Sequence, residues 1–139
     1  MLESLREASP LSRSNLLGVP ERGIYVFYEI GRPLYVGRSN RLRQRLQEHS
    51  RPGSPHNSAA FAFNLAIRSA REKGLGLEGL QRTQLENDTS FARLFAEAKT
   101  RVAAMEIRII EITDPIEQTV FEVYAALALD TPYNDFDNH

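Results

Sequence analysis

The sequence predicts a small α+β fold, a three-stranded antiparallel sheet with helices packed on it. Two short aromatic stretches, residues 23–28 and 33–37, flank a turn at Gly31 and predict a β-hairpin. Residues 105–110 alternate between apolar and mostly charged side chains, which predicts a third strand. Residues 114–117 combine an Asp cap, a proline at the first helical position and a capping-box Glu, so a helix is predicted from there to about Leu129.

The other elements follow in chain order. Residues 1–20 are polar and contain two prolines, which favours a short helix followed by a loop. Strand periodicity places Tyr25 and Phe27 on one face of the first strand, with its aliphatic residues on the other face. A helix is then predicted to begin near Ser39 or Asn40, with leucines at 42 and 46 as its buried stripe, and to end at the proline-rich residues 51–55.

The middle of the chain reads as helical. Asn57 or Ser58 is predicted to cap a helix through about Arg71, and the three glycines within residues 74–87 favour a loop. A further helix is predicted over residues 90–101. We interpret residues 1–139 as one domain, with a core formed by residues 20–50 and 104–134 and a helical insertion at about 51–103.

Composition narrows the class of protein. An apolar content of 42% and a charged content of 25% are typical of a soluble globular chain. No apolar run approaches the length of a membrane span, and the first residues lack the apolar stretch of a signal peptide. Cysteine is absent, which excludes disulfides and thiolate metal sites and is compatible with a reducing, cytoplasmic location.

Charge is distributed unevenly along the chain. The net charge is −1, yet residues 1–70 contain ten Arg and five Glu, whereas the second half is acidic. Six Arg and a single Glu lie between positions 32 and 51. Because Arg can contact a phosphate through two parallel N–H groups, this run predicts a nucleic-acid contact surface, although such runs are also found simply solvated.

The order of several residues resembles that of the GIY-YIG endonuclease superfamily. Gly23-Ile24-Tyr25 and Tyr35-Val36-Gly37 match its two tripeptides, with Val36 in place of the usual isoleucine. Arg45, Glu122 and Asn134 follow at the spacing of that family. The resemblance covers residues 20–50 and 104–134 and implies a GIY-YIG nuclease-like fold with a divalent-metal-dependent DNA endonuclease activity that hydrolyses phosphodiesters by one-step attack of water.

The same resemblance implies a set of roles. Tyr25 would be the general base or its relay, Tyr35 would orient the water, and Arg45 would clamp the scissile phosphate. A neighbouring Arg45 and a bound cation would lower the pKa of Tyr25 from its usual value of about 10. His49, four residues after Arg45 and therefore expected on the same face of the same helix, would assist proton transfer or contact DNA, although a surface histidine is an open alternative. Glu122 would hold Mg²⁺ or Mn²⁺, which are commonly bound by one or two carboxylates together with waters and substrate oxygens.

The remaining assignments concern nucleic-acid binding. Arg38, Arg41 and Arg43, together with Arg45, are interpreted as phosphate contacts. Asn134 is assigned to this surface and expected to fix the chain end against the site by hydrogen bonds. The substrate is expected to be DNA, duplex or branched, with RNA and both the monomeric and homodimeric states left open. A nucleic-acid-binding or regulatory module with little or no hydrolysis, and a protein-interaction domain that uses the inserted helices, are the alternatives.

Overall fold

The predicted fold class is confirmed. The computed structural model describes residues 1–134, and within them a three-stranded antiparallel sheet is accompanied by six helices. In chain order the elements are α1 (Leu2–Glu7), β1 (Gly23–Glu29), β2 (Arg32–Ser39), α2 (Leu42–Glu48), α3 (Ala60–Glu72), α4 (Arg82–Asn87), α5 (Thr89–Ala103), β3 (Glu106–Glu111) and α6 (Pro115–Leu129).

The sheet places β1 in its centre, in the order β2-β1-β3. Tyr25 of β1 pairs with Gly37 of β2 on one side and with Ile109 of β3 on the other. The register between β1 and β2 shifts between Phe27 and Tyr28, near the turn at Gly31. Since the central strand has a neighbour on each side, its side chains are held at defined positions on both faces of the sheet.

Each edge of the sheet is contacted over a short stretch by another part of the chain. Leu11, in the loop after α1, exchanges two backbone hydrogen bonds of 2.7 Å with Ile107 of β3. On the opposite edge, the Tyr133 N–H donates to the Leu34 carbonyl of β2 at 3.2 Å. Unpaired edge groups promote pairing with other chains, so these contacts protect the sheet.

The apolar face of β1 packs against α6. Phe121 of α6 lies in one buried cluster with Ile24, Val26 and Tyr28, which all project from the same face of β1, and with Leu5 of α1. Asp114 caps α6 as predicted, because its Oδ1 accepts hydrogen bonds from the N–H groups of residues 116 (2.8 Å) and 117 (3.1 Å). The helix that carries Glu122 is thus anchored to the sheet and defined at its start.

Two compact units are formed within the described residues, one by residues 1–46 and 104–134, the other by residues 47–103. In the second unit α3 and α5 pack together, and the rings of Phe63, Phe91 and Phe95 form its aromatic centre, with centroid separations of 5.0 Å and 5.3 Å from Phe63. The side chain of Lys99 is buried there, and its ammonium donates to the Pro52 carbonyl at 2.8 Å.

Three local predictions require correction. Helix α2 begins at Leu42, because the Ser39 hydroxyl accepts the Arg41 N–H (2.8 Å) in the turn before the helix. Helix α3 begins at Ala60, after Ala59 at the cap position, so neither predicted cap residue is used. Helix α4 lies in the segment predicted as loop, where the Gln84 side chain accepts from the Gln81 N–H at 2.8 Å and substitutes for the usual Ser or Thr capping signal.

Across residues 1–134, no helix has the length and apolar character needed to cross a bilayer.

Candidate active site

The site is built on a close approach between Tyr25 and Gly37. They are partners in the β1–β2 register, and the phenol ring of Tyr25 lies directly over the Gly37 backbone. A β-carbon at Gly37 would lie 2.2 Å from the Tyr25 hydroxyl oxygen, a distance that no side chain could tolerate. Phe27 packs edge-on against the same ring, with centroids 5.7 Å apart, so the orientation of Tyr25 is constrained from two sides.

Gly23, the glycine of the other tripeptide, likewise has no room for a side chain. A β-carbon there would lie 2.1 Å from the carbonyl oxygen of Ile110 on β3. Glycine is therefore required at both positions, because the Ile110 carbonyl or the Tyr25 ring comes too close for any side chain. This is a steric reason for the glycine that begins the first tripeptide and for the one that ends the second.

Tyr25, Tyr35, Arg45 and Glu122 are brought together. The pKa of Tyr25 is influenced by Tyr35, Arg45 and Glu122, and that of Tyr35 by Arg45 and Glu122. The Arg45 guanidinium also donates a hydrogen bond to the Tyr25 side chain. Tyr25 is 1% exposed, whereas Tyr35, Arg45 and Glu122 are partly exposed. The group therefore has a buried end at Tyr25 and a solvent-facing end at Glu122.

The pKa of Tyr25 moves opposite to the expected direction. The sequence suggested that Arg45 would lower it, and Arg45 does act in that direction. Burial nevertheless raises the pKa of Tyr25 well above its usual value, and Tyr35 and Glu122 add to the increase. Burial likewise raises the pKa of Tyr35, with Arg45 lowering it and Glu122 raising it. Both phenols are consequently protonated at neutral pH and available as hydrogen-bond donors.

Glu122 is the acidic group of the site. Its side chain is 22% exposed, and Arg38 Nε lies 3.8 Å from its Oε1. Burial raises the pKa of Glu122, while the Arg38 charge and a hydrogen bond from the Arg38 backbone N–H oppose that increase. The carboxylate therefore has a cationic neighbour that favours its ionised form against the effect of burial.

This arrangement fits a lightly held divalent cation. Within residues 1–134 no group of three or more His, Cys, Asp or Glu could form a protein-built cage. A partly exposed single carboxylate is what Mg²⁺ uses when water and substrate phosphate complete its octahedral shell. Glu122 would be the protein ligand, and Arg38 would have to share or leave its carboxylate.

The other arginines predicted to bind nucleic acid lie on helix α2 or shortly before it. Arg41 precedes α2, Arg43 and Arg45 are on it, and both Arg41 and Arg43 are exposed. Arg38 is also largely in solvent, with 41% of its side chain exposed. Their assignment to phosphate contacts stays a prediction, but these cations can reach a ligand at the surface.

Asn134 is held at the edge of β2. Its Oδ1 accepts the Val36 N–H at 2.8 Å, and its Nδ2 donates to the Val36 carbonyl at 2.7 Å. The Thr131 hydroxyl donates to the same Oδ1 at 2.7 Å. One amide thus pairs with β2 as a neighbouring strand would, between the two site residues Tyr35 and Gly37. A contact between Asn134 and DNA stays a prediction.

The position and burial of His49 differ from those predicted. Helix α2 ends at Glu48, so His49 follows the helix and does not continue the face of Arg45. Its side chain is fully buried, which excludes the surface-histidine alternative in this structure. His49 falls in the second compact unit, whereas the other residues predicted for the site fall in the first. Its part in proton transfer or DNA contact stays a prediction.

Gln118 is a positioning residue that sequence reasoning missed. It is fully buried on α6, one turn before Glu122, and its Nε2 donates to the Ile112 carbonyl (2.6 Å) and to Asn40 Oδ1 (3.1 Å). These bonds tie the helix that carries Glu122 to the turn that leads into the helix of Arg45. An amide on the otherwise apolar inner face of α6 was the available signal.

No protein-family model matches the chain, and no characterised protein sequence matches it either. Among solved structures, the chain is similar to the GIY-YIG N-terminal endonuclease domain of UvrC from Thermotoga maritima bound to magnesium, its catalytic divalent cation, with 19% identity over 88% of this chain and 94% of that one and a TM-score of 0.48. A Tyr-to-Phe point mutant of that domain, bound to its catalytic divalent cation, is similar to the same extent, with 19% identity, 88% and 93% coverage and a TM-score of 0.48.

Proposed function

We propose that this chain is a divalent-metal-dependent endonuclease that hydrolyses phosphodiester bonds in DNA. The observation that carries the proposal is the grouping of two phenols, a guanidinium and a carboxylate from four separate elements, close enough for each phenol pKa to respond to Arg45 and Glu122. Phosphodiester hydrolysis needs positioned water, compensation of charge on the phosphate and stabilisation of the leaving oxygen. This group offers side chains for each task.

The phenols would handle the attacking water. Tyr25 and Tyr35 are protonated at neutral pH, so each can donate one hydrogen bond and accept another. We propose that Tyr35, the more exposed of the two, orients the water, and that Tyr25, in the ionised form that Arg45 favours, accepts the proton that this water loses. The water oxygen forms the new bond to phosphorus while the bond from phosphorus to the leaving oxygen breaks.

The charged residues would bind the phosphate and the metal. Arg45 would compensate the charge that accumulates on the phosphate oxygens. Glu122 would hold Mg²⁺ or Mn²⁺, and such an ion supplies Lewis-acid stabilisation of the phosphate and of the leaving oxygen. Arg38, Arg41 and Arg43 would contact flanking phosphates, which sets affinity without reading sequence.

The burial of Tyr25 favours a second candidate function. Burial raises the pKa of Tyr25 well above its usual value, and a buried, protonated phenol is a poor base. A nucleic-acid-binding module that retains the fold and hydrolyses little is the alternative on that ground. It would keep the arginine contacts and lose turnover.

Plasmid nicking tests the proposed reaction. With Mg²⁺ or Mn²⁺ the chain should convert supercoiled DNA to nicked circles, and chelation should stop it. Glu122→Ala and Tyr25→Phe should each remove most of this activity. Glu117→Ala, an exposed glutamate on the same helix, is the matched control and should retain it.

Binding measurements separate the two functions. Arg43→Ala should weaken DNA binding and reduce its salt dependence in either case. Salt-sensitive binding without cleavage under any divalent metal would favour the binding module. Equal cleavage by Glu122→Ala and the unaltered chain would contradict the proposed site.

A further inference from the structure

The outer face of α6 carries a row of exposed apolar side chains. Their exposed fractions range from 38% to 75%, although apolar residues at this spacing on a helix normally face a core. Except for Tyr124, which directly follows Val123, they succeed one another by three or four residues, about one helical turn, so they lie on one face of α6. We call this row the α6 stripe; it consists of Ile116, Val120, Val123, Tyr124 and Leu127.

We propose that the α6 stripe is the contact surface between two copies of this chain, packed with their α6 helices antiparallel. This goes beyond the proposed activity and does not depend on it. The partner is identified by the symmetry of the spacing. From Ile116 the steps to Val120, Val123 and Leu127 are four, three and four residues, and this order reads the same in both directions.

Such spacing suits a twofold axis. When two identical helices cross antiparallel with the axis between residues 121 and 122, Ile116 of one copy meets Leu127 of the other. Val120 meets Val123 in the same way, and Tyr124 falls opposite Thr119, whose hydroxyl oxygen can accept a hydrogen bond from the Tyr124 hydroxyl. A twofold interface requires one patch that complements itself, and the α6 stripe meets that requirement.

The area of the α6 stripe indicates what kind of dimer to expect. Its apolar area is on the order of 500 Å², the size of the largest patches on monomeric proteins. Pairing would bury roughly 1,000 Å² in total, the lower limit for a biological interface. We therefore expect a dimer that forms only as the concentration rises, and no permanent assembly.

Pairing would leave the proposed active site open. At about 100° per residue, Glu122 points roughly 140° away from the centre of the α6 stripe. The buried residues of α6, such as Phe121 and Ala125, also face away from it. Each copy would thus keep its own carboxylate and its own phosphate-binding arginines while α6 is shared.

Sedimentation over a concentration series tests the contact. The unaltered chain should shift from monomer to dimer, and Val120→Glu should remain monomeric because two carboxylates would be buried at the axis. Leu17→Glu is the matched control, since Leu17 is 83% exposed and outside the α6 stripe, and it should still dimerise. Circular dichroism should give the same spectrum for all three proteins. A monomer at every concentration, or a dimer that persists in Val120→Glu, would overturn the proposal.

Disulfide trapping tests the register, because the chain has no cysteine of its own. A mixture of Ile116→Cys and Leu127→Cys chains should form mixed disulfide dimers on mild oxidation. Ile116→Cys alone should not, since its two copies would lie about 16 Å apart along the helices, and a disulfide joins α-carbons less than about 7 Å apart. Equal trapping of Ile116→Cys with itself would exclude the antiparallel pair.

Discussion

Arg38 and Glu122 approach to 3.8 Å across the edge of the proposed metal site, so a side chain expected to bind phosphate is paired with the carboxylate expected to bind the metal. Both side chains are partly exposed to solvent, 41% for Arg38 and 22% for Glu122. A cation that binds Glu122 must therefore compete with the guanidinium.

Removal of that competitor should tighten metal binding by the DNA-free chain. We expect Arg38→Gln to raise the affinity for Mn²⁺ about fivefold, the factor that corresponds to about 1 kcal/mol between unit charges 4 Å apart in water. Titration followed by the electron paramagnetic resonance of free Mn²⁺ measures this. Arg43→Gln removes the same charge at another exposed position of the arginine run and should leave the affinity near that of the parent. A weaker affinity in Arg38→Gln would mean that Arg38 assists the metal.

A methyl group at Gly37 should damage the site and the fold together. Because the added carbon would lie 2.2 Å from the Tyr25 hydroxyl, the buried ring must move. We expect Gly37→Ala to lower the free energy of unfolding by about 1–3 kcal/mol, the usual cost of overpacking, and to abolish nicking. Gly53→Ala is the control, since no atom lies within 4 Å of its added carbon. Full stability of Gly37→Ala in urea unfolding would contradict the close packing of Tyr25.

Glu122→Gln should stabilise the protein at neutral pH while removing cleavage. Burial raises the pKa of Glu122, so the folded chain holds this proton more tightly than the unfolded chain. The contribution of Glu122 to stability is thus full below its unfolded pKa of about 4.3 and is lost as the pH rises through the folded value. Glutamine resembles the protonated form and keeps that contribution.

The test of this prediction is the difference in unfolding free energy between Glu122→Gln and the parent at several pH values. The difference should favour the variant near pH 7 and shrink towards zero near pH 4. Glu117→Gln on the same helix should show no such trend. A variant less stable than the parent at pH 7 would show that the Arg38 pairing outweighs burial.

Loss of the Asn134 amide should weaken the edge of β2. Asn134→Ala leaves the Val36 N–H and carbonyl without their side-chain partner, and we expect a loss of about 1–3 kcal/mol. Denaturant unfolding measures that loss, and DNA binding measured well below the transition separates it from a direct nucleic-acid contact. Asn87→Ala, which removes an exposed amide bonded only to the Thr83 carbonyl in its own helix, should cost much less. Weaker DNA binding with unchanged stability would assign Asn134 to the nucleic-acid surface.

Local signals in the sequence were sufficient for most of the elements. Strand alternation predicted both faces of β1, and the Asp114 cap with its following proline predicted the start of α6, because each depends on residues close together in the chain. Helix α4 was missed, since its glutamine caps and the buried Leu85 matter only once the second unit is packed. The residues of the candidate site were named because their order and spacing resemble those of the GIY-YIG endonuclease superfamily.

Only the tertiary structure decided how those residues behave. The order of the motif does not reveal that the Tyr25 ring fills the space over Gly37, and without that burial its pKa was expected to fall beside Arg45. Nor does it reveal that Arg38 faces Glu122 or that Asn134 is committed to the backbone of Val36. Desolvation and pairing depend on the neighbours of a side chain in space. These neighbours belong to segments that lie up to about a hundred residues away in the sequence.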